Sequence, residues 1–444
     1  MKRLTTRRAG ALLFAVALFV YAFPAIYNLV HKPFFTLSTG QDQASTNLLP
    51  VSLLQRGDFY LDEYRDFYTR YWRDPYFVAT VNGRLVSRSP VAAAVIAAPL
   101  YGAPLGTGWL WRPGRAELEF PWSAFLIAKI AAAVITALAA LMFFFCARQL
   151  TDLRASIALT CIFAFATSVW STASQGLWQQ TPSILFQLIG IWFLLRGIAR
   201  GAAAVAPGAF FFSLATIARP NDGLTALLFT LYVFLYHRAV ILKWLAWAMP
   251  PAIFFFAYNT IYNGSPLVFG YQDGVATYLS FPKPDALVGL FIAPSRGLFI
   301  FSPFLILSAY GAWLAHNDRA AQFYRFAGAA IVVGVILLAM WENWDGGWGY
   351  GTRMLTDLLP YFTLLLIPVY RGLRGIARVA FAGSAIYAAI LQSFGLWDYG
   401  VRWHWSWDNN YAYDVWNLAR NAPLFYLNEY STMAQYYLNI YLFR

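Results

Sequence analysis

Asp42 is the only charged residue between Lys32 and Arg56. It sits in a polar, otherwise uncharged run from Ser38 to Asn47 that includes Gln41 and Gln43. A lone carboxylate so placed can serve as general base toward an arriving hydroxyl. It reads equally as an acid at a helix N-terminus, favoured by the helix dipole. Residue chemistry alone leaves both open. Further on, Arg84 and Arg88 stand four apart in the run Asn82 to Pro90, just before an apolar segment. Guanidinium forks suit phosphate oxygens, and snorkelling at a membrane surface is the alternative. A third run, Trp341 to Arg353, holds Trp348, Tyr350 and four glycines that permit tight bends. Arg353 ends it where the next apolar segment begins, and Asp357, one turn on, could orient it. Arg296, in Ala293-Pro294-Ser295-Arg296-Gly297, is a further phosphate candidate. The amide-rich stretch Trp170 to Pro182, with Trp178 and Gln179, could bond sugar hydroxyls or merely close a loop. Arg219-Pro220-Asn221-Asp222 reads as a structural turn.

Two rival acids, Asp62 and Glu63, lie beside Arg65 and close to Arg56, which suits an ion-pair cluster. Other chemistries find no residues to carry them. His31, His237, His316 and His404 are scattered, and no His/Cys spacing suits zinc. No serine sits in a nucleophile elbow, and there is no phosphate-cradling P-loop or dinucleotide fingerprint. Cys146 and Cys161 both fall in apolar stretches, as packing thiols rather than a disulfide framework. No metal ligand set and no cofactor are expected, with a divalent cation left open.

The elements that must hold these residues are membrane helices. Of 444 residues, 60% are hydrophobic and 12% charged, against about 25% charged in a soluble domain. That excludes a soluble enzyme, a coiled coil and a disordered chain. The net charge of +12 fits basic cytoplasmic ends of spans better than nucleic acid, because basic runs are confined to the N-terminus. Lys2, Arg3, Arg7 and Arg8 precede an apolar run, Ala9 to Val30, too long for a signal-peptide core. It is expected to be an uncleaved first span. Later spans are expected at 123–147, 155–172, 181–196, 202–218, 223–237, 241–262, 297–315, 326–341, 355–370 and 378–397, about 11 in all.

Alternate short loops carry 11 basic residues, from Arg148 to Arg378, and the opposite set only Arg219, Lys283, Arg296 and Arg353. The richer set is cytoplasmic. The apolar stretch 90–111 must then not cross, or every later loop would invert. Its Pro90, Pro99, Gly102, Pro104 and Gly106 suit a broken interfacial helix. The chain reads as an all-α, single domain over 1–444, with a first extracytoplasmic loop at 31–122 and an extracytoplasmic tail at 398–444. Most candidate chemistry falls on that outer face.

In this order, the pieces resemble the GT-C superfamily of membrane glycosyltransferases. The residues carrying the resemblance are the basic-in first span, Asp42 in the first outer loop, Gly57-Asp58-Phe59-Tyr60-Leu61-Asp62, Ser87-Arg88-Ser89-Pro90, and Gly347-Trp348-Gly349-Tyr350-Gly351-Thr352-Arg353. The pattern is most similar to the protein O-mannosyltransferase and aminoarabinose-transferase branch. That branch carries an Asp-Glu pair early in the loop; here Gln43 follows Asp42, and the pair is Asp62-Glu63. The resemblance implies a polyprenyl-phosphate sugar donor and a lipid or glycan acceptor. It implies Asp42 as base, with Asp62 or Glu63 as alternatives, and Arg88 at the donor phosphate, where Arg353, Arg84, Arg296 and Tyr350 are further candidates. Gln41, Gln43, Trp178, Gln179 and Trp348 are then candidates for sugar or acceptor contact. It further implies residence in a bacterial inner membrane, among membrane lipids and without nucleic acid. Two other functions compete. A lipid flippase or transporter needs ionisable residues inside spans and access from both sides, whereas polarity here is one-sided. An O-antigen ligase or polymerase carries its large outer loop late, and here it comes first.

Overall fold

The computed structural model describes residues 5–31, 41–71, 75–109, 122–268, 279–398, 401–407 and 413–442. Asp74, Glu117, Glu119 and the side chain of Gln41 lie outside the described residues.

The first helix, α1 (Thr6–His31), is followed by a short 3-10 turn, Gln41–Gln43, and by α2 (Ala44–Arg56). Next come α3 (Arg65–Tyr71), the strands β1 (Val78–Val81) and β2 (Arg84–Ser87), and α4 (Ala92–Gly106). The bundle continues with α5 (Trp122–Leu150), α6 (Leu153–Phe165), α7 (Gln180–Arg200), α8 (Gly208–Ala218), α9 (Asp222–Tyr236) and α10 (Ile241–Tyr262). Shorter pieces follow: α11 (Pro284–Ile292), α12 (Leu298–Phe301) and α13 (Leu307–Leu314). The last group is α14 (Ala321–Met340), α15 (Leu359–Gly372), α16 (Gly375–Asp398), α17 (Val401–Trp405) and α18 (Ala422–Leu442).

Among the described residues, six helical stretches are long and apolar enough to cross a bilayer: Thr6–Val30, Trp122–Leu150, Gln180–Arg200, Arg238–Tyr262, Ala321–Met340 and Gly375–Trp397. The other five expected spans fold as shorter or interrupted segments. The run 155–172 breaks after Phe165 into a π-helical turn at Val169–Ala173. The run 297–315 is three pieces divided by Pro303, and 355–370 begins as a 3-10 helix, Arg353–Leu358. At 1.5 Å per residue, helices of 11 to 15 residues fall short of a ~30 Å hydrocarbon core. Six of the expected spans are thus uninterrupted helices of crossing length among the described residues, and five are shorter or interrupted. The short α4, with Pro99 and Pro104 inside it, is likewise shorter than a crossing, and it packs against α2 and α5.

Helices meet through small residues, the packing that serves where lipid removes the hydrophobic drive between helices. In α5, Ala124, Ala128, Ala131, Ala132, Ala139 and Ala140 are all buried, and α1 and α7 lie against this helix. The apolar surface of α10 points outward instead, with Leu242, Ile253 and Ile261 exposed, as a lipid-facing helix requires.

The all-α expectation misses one feature. Residues 78–87 form an antiparallel hairpin, with Val78 opposite Ser87 and Val81 opposite Arg84. Its turn is Asn82-Gly83, with φ of 50° and 80°, the pair of positive angles that a type I′ turn demands. Tyr60 bridges to Val86, and the Leu61 amide donates to the Leu85 carbonyl. The hairpin thereby delivers Arg88 to the start of α4.

Candidate functional site

Asp42 belongs to the 3-10 turn that leads into α2, a helix buried from Ala44 to Ser52. Its carboxylate is half-buried and has partners on both oxygens. The Arg353 guanidinium donates to Oδ2 at 2.9 Å, and the Tyr76 hydroxyl donates to Oδ1. Its own carbonyl accepts from the Ser89 hydroxyl at 2.8 Å. The expectation of a carboxylate with no cation beside it is thus corrected. No cation is near in sequence, but the fold carries Arg353 across 311 positions to meet it. A carboxylate has about four lone-pair sites, so two contacts orient Asp42 and leave room for an incoming hydroxyl.

Arg353 is itself held from several directions. Its guanidinium lies over the Trp178 ring at 4.7 Å, and its carbonyl accepts from Gln180 Nε2 at 3.3 Å. A methyl group on Gly346 would meet Arg353 Nε at 3.0 Å, and φ there is +80°, so the bend beside this arginine is a glycine position on two counts. Asp357, expected to orient Arg353, does something else. It is buried and paired with Arg219, because the 3-10 geometry of 353–358 aims it at the 219–222 turn. Arg219 also donates to the Met354 carbonyl at 3.2 and 3.3 Å.

Two small cavities are each lined by a residue that contacts Asp42, Ser89 in one and Arg353 in the other. One is lined by Arg88 together with Ser87, Ser89, Val91, Asn259 and Asn263. The other is lined by Arg353 and Arg296 with Trp344, Asp345 and Thr352. Of the expected phosphate ligands, then, Arg353 and Arg296 share a cavity while Arg88 serves its neighbour. Arg296 is committed within that wall. It is buried and donates to the carbonyls of Asp345, Gly347 and Ser295, each at 2.9 Å, and lies 3.1 Å from His404 Nε2.

The remaining candidates separate. Arg84 is turned away from this center: it is exposed, pairs with Asp62 and lies 3.8 Å over the Tyr60 ring. Tyr350 is fully buried and donates to the Leu391 carbonyl at 2.6 Å, which makes it a packing residue. Gln43 is buried against Gly176. Trp178 serves as the platform beneath Arg353. Gln179 is half-buried at the entry to α7. Trp348 stacks on His404 at 5.0 Å. That last contact belongs to a feature the sequence reading passed over. The tail packs onto the 341–353 loop, with Tyr413 donating to Asp345 at 2.7 Å and Tyr350 against Tyr426.

Asp62 and Glu63 sit among cations. Asp62 takes Arg65 at 3.2 Å, Arg84, and the Leu85 amide at 2.7 Å. Glu63 takes Arg56, and Ser52 at 2.7 Å. Burial by itself would raise the Asp62 pKa, but the Leu85 amide and the two guanidiniums outweigh it and hold the carboxyl below its usual value. A depressed folded-state pKa contributes stability above the unfolded value, and this is lost as pH falls through the folded one. Asp62→Asn should therefore flatten the acid limb of thermal stability below about pH 4. It should leave turnover well short of the ~10²-fold loss that removal of a general base causes. A pH series of melting curves with a parallel activity assay checks both.

Among the described residues, no group of three or more His, Cys, Asp or Glu side chains is placed to hold a metal ion. No protein-family model matches the chain, and no curated protein sequence does. A solved structure does: the oligosaccharyltransferase of Archaeoglobus fulgidus in its apo form superposes with a TM-score of 0.51 at 11% identity. The match covers 88% of this chain and 57% of that one, so the chain spans little more than half of that protein's length. The likeness shows that the two chains share an overall fold.

Proposed function

We propose that this chain is a membrane glycosyltransferase that moves one sugar from a polyprenyl-phosphate donor to a lipid- or cell-surface-linked acceptor. In this reading Asp42 accepts the proton of the acceptor hydroxyl. The hydroxyl oxygen attacks the anomeric carbon as the bond to the donor phosphate breaks, with inversion, and the polyprenyl phosphate leaves. Arg88 and Arg353 stabilise the leaving phosphate, the preorganised charge that such a displacement needs. Arg353 can serve the phosphate only by sharing or exchanging its contact with Asp42. That contact couples donor seating to the release of the base for work. The protein-O-mannosyl and aminoarabinose branch is the finer placement, with the site on the extracytoplasmic face of a bacterial inner membrane.

The observation that carries the reading is the Asp42–Arg353 pair, with Arg353 lining one cavity and Ser89, which holds the Asp42 carbonyl, lining the other beside Arg88. One-sided polarity disfavours the transporter, which requires access from both sides. The test is turnover by the purified protein in liposomes with polyprenyl phosphates bearing single radiolabelled sugars and an extract of envelope lipids. Release of polyprenyl phosphate with label transferred to acceptor is the expected result. Movement of intact donor across the bilayer without transfer would replace the reading with transport.

A further inference from the structure

Both ends of the 78–87 hairpin close on the turn that carries Asp42. Before β1, the Tyr76 hydroxyl donates to Asp42 Oδ1. After β2, the Ser89 hydroxyl donates to the Asp42 carbonyl at 2.8 Å. Between them, the Ser87 hydroxyl donates to Ser45 Oγ at 2.8 Å, in the first turn of α2. The hairpin fixes the spacing of these groups. Its strands pair in register, and the Arg88 amide donates to the Phe77 carbonyl at 2.9 Å. Phe77 is buried against the Tyr68 ring, so the residue next to Tyr76 is held by both backbone and side chain.

Tyr76 differs from the two serines. It is 51% exposed, so water could take its hydroxyl instead, and the net worth of such a bond to folding is small. A phenol kept on a carboxylate under those conditions serves the carboxylate. The two carboxylate oxygens also have different fates in the displacement. Arg353 sits on Oδ2 and is the group drawn toward the donor phosphate. When it moves, Oδ2 opens, and Tyr76 still grips the side chain at Oδ1. The last torsion of an aspartate is broad and roughly two-fold, so without that grip the group could turn and present either oxygen. Misplacing a reacting atom by about 1 Å can cost on the order of 10²-fold in rate.

We propose that Tyr76 is a positioning residue: it holds Asp42 by Oδ1 while Arg353 is on the phosphate, so that Oδ2 takes the acceptor proton. This rests on the reading of Asp42 as base. The experiment is single-turnover transfer of labelled sugar by the full-length protein in lipid nanodiscs, for wild type, Tyr76→Phe, Asp42→Asn and the double variant. Tyr76→Phe removes one oxygen from a half-exposed side chain and keeps the ring. It should slow transfer about 10- to 100-fold, the range that a hydrogen bond to a charged group spans. Half-saturating donor concentration and melting temperature should stay near the wild-type values. Added to Asp42→Asn, the same change should cause no further loss, because the carboxylate it acts on is gone; a merely structural contribution would add in full. A wild-type rate in Tyr76→Phe, a loss confined to donor affinity or to the unfolded fraction, or full additivity with Asp42→Asn overturns the inference and leaves Asp42 as base. So does faster transfer, the result if the phenol only draws charge from the base. Near-normal transfer in Asp42→Asn, or none by the wild-type protein from any prenyl donor, overturns the reading itself, and the inference with it.

Discussion

Asp42→Asn should yield a folded protein that still binds donor lipid and transfers sugar about 10²–10⁴-fold more slowly, the usual contribution of a positioned general base. Asparagine keeps the shape of the side chain and one acceptor oxygen. It cannot take up a proton, and its NH₂ group must face either the Tyr76 hydroxyl or the Arg353 guanidinium, both of which donate to the native carboxylate. The loss should fall on kcat rather than on donor affinity, because a base acts in the transition state. Single-turnover transfer with bound labelled donor separates the two. Near-normal transfer in Asp42→Asn, with collapse in Asp62→Asn or Glu63→Gln, would move the base to that pair. The geometry argues against this outcome. Asp62 and Glu63 already serve three and two partners, and those partners tie the hairpin and α2 together.

What could be read from the sequence was set by how locally each signal is encoded. Apolar run lengths located the six long apolar helices, since a span is a local property, but not α18, which falls in the expected tail; the isolation of Asp42 was visible in the string itself. The partner of Asp42 was not, because an ion pair between positions 42 and 353 is a product of topology. The same cause misassigned Asp357. A spacing of four puts two side chains on one face of an α-helix, but 353–358 is a 3-10 helix, in which residues four apart diverge. The hairpin was legible and passed over. Asn82-Gly83 is a strong short-range turn signal, outweighed by the apolar mass of the chain. The tail's part in the site, through His404 and Tyr413, had no signal beyond its aromatic content.

Arg219→Ala should cost about 3–5 kcal/mol, the typical price of breaking one partner out of a buried ion pair, although the residue lines neither cavity. Arg219 is 4% exposed, and its fork reaches the Asp357 carboxylate and the Met354 carbonyl. Asp222 is buried beside Asp357 and accepts from Ser183. Without the guanidinium, two carboxyl groups would face each other away from water, and one must hold a proton or the turn must open. Asp357 and Met354 lie in the 3-10 helix that Arg353 begins, so the loss should also loosen the grip of Arg353 on Asp42. Thermal unfolding in detergent, together with a double-mutant cycle using Asp357→Asn, tests this. A coupling of roughly 1–3 kcal/mol is expected for groups in one network. Simple additivity would mean that Arg219 stabilises the loop through Met354 alone. Transfer activity in Arg219→Ala, assayed well below its melting point, should fall further than the unfolded fraction accounts for, because the arginine that orients the base has lost its footing.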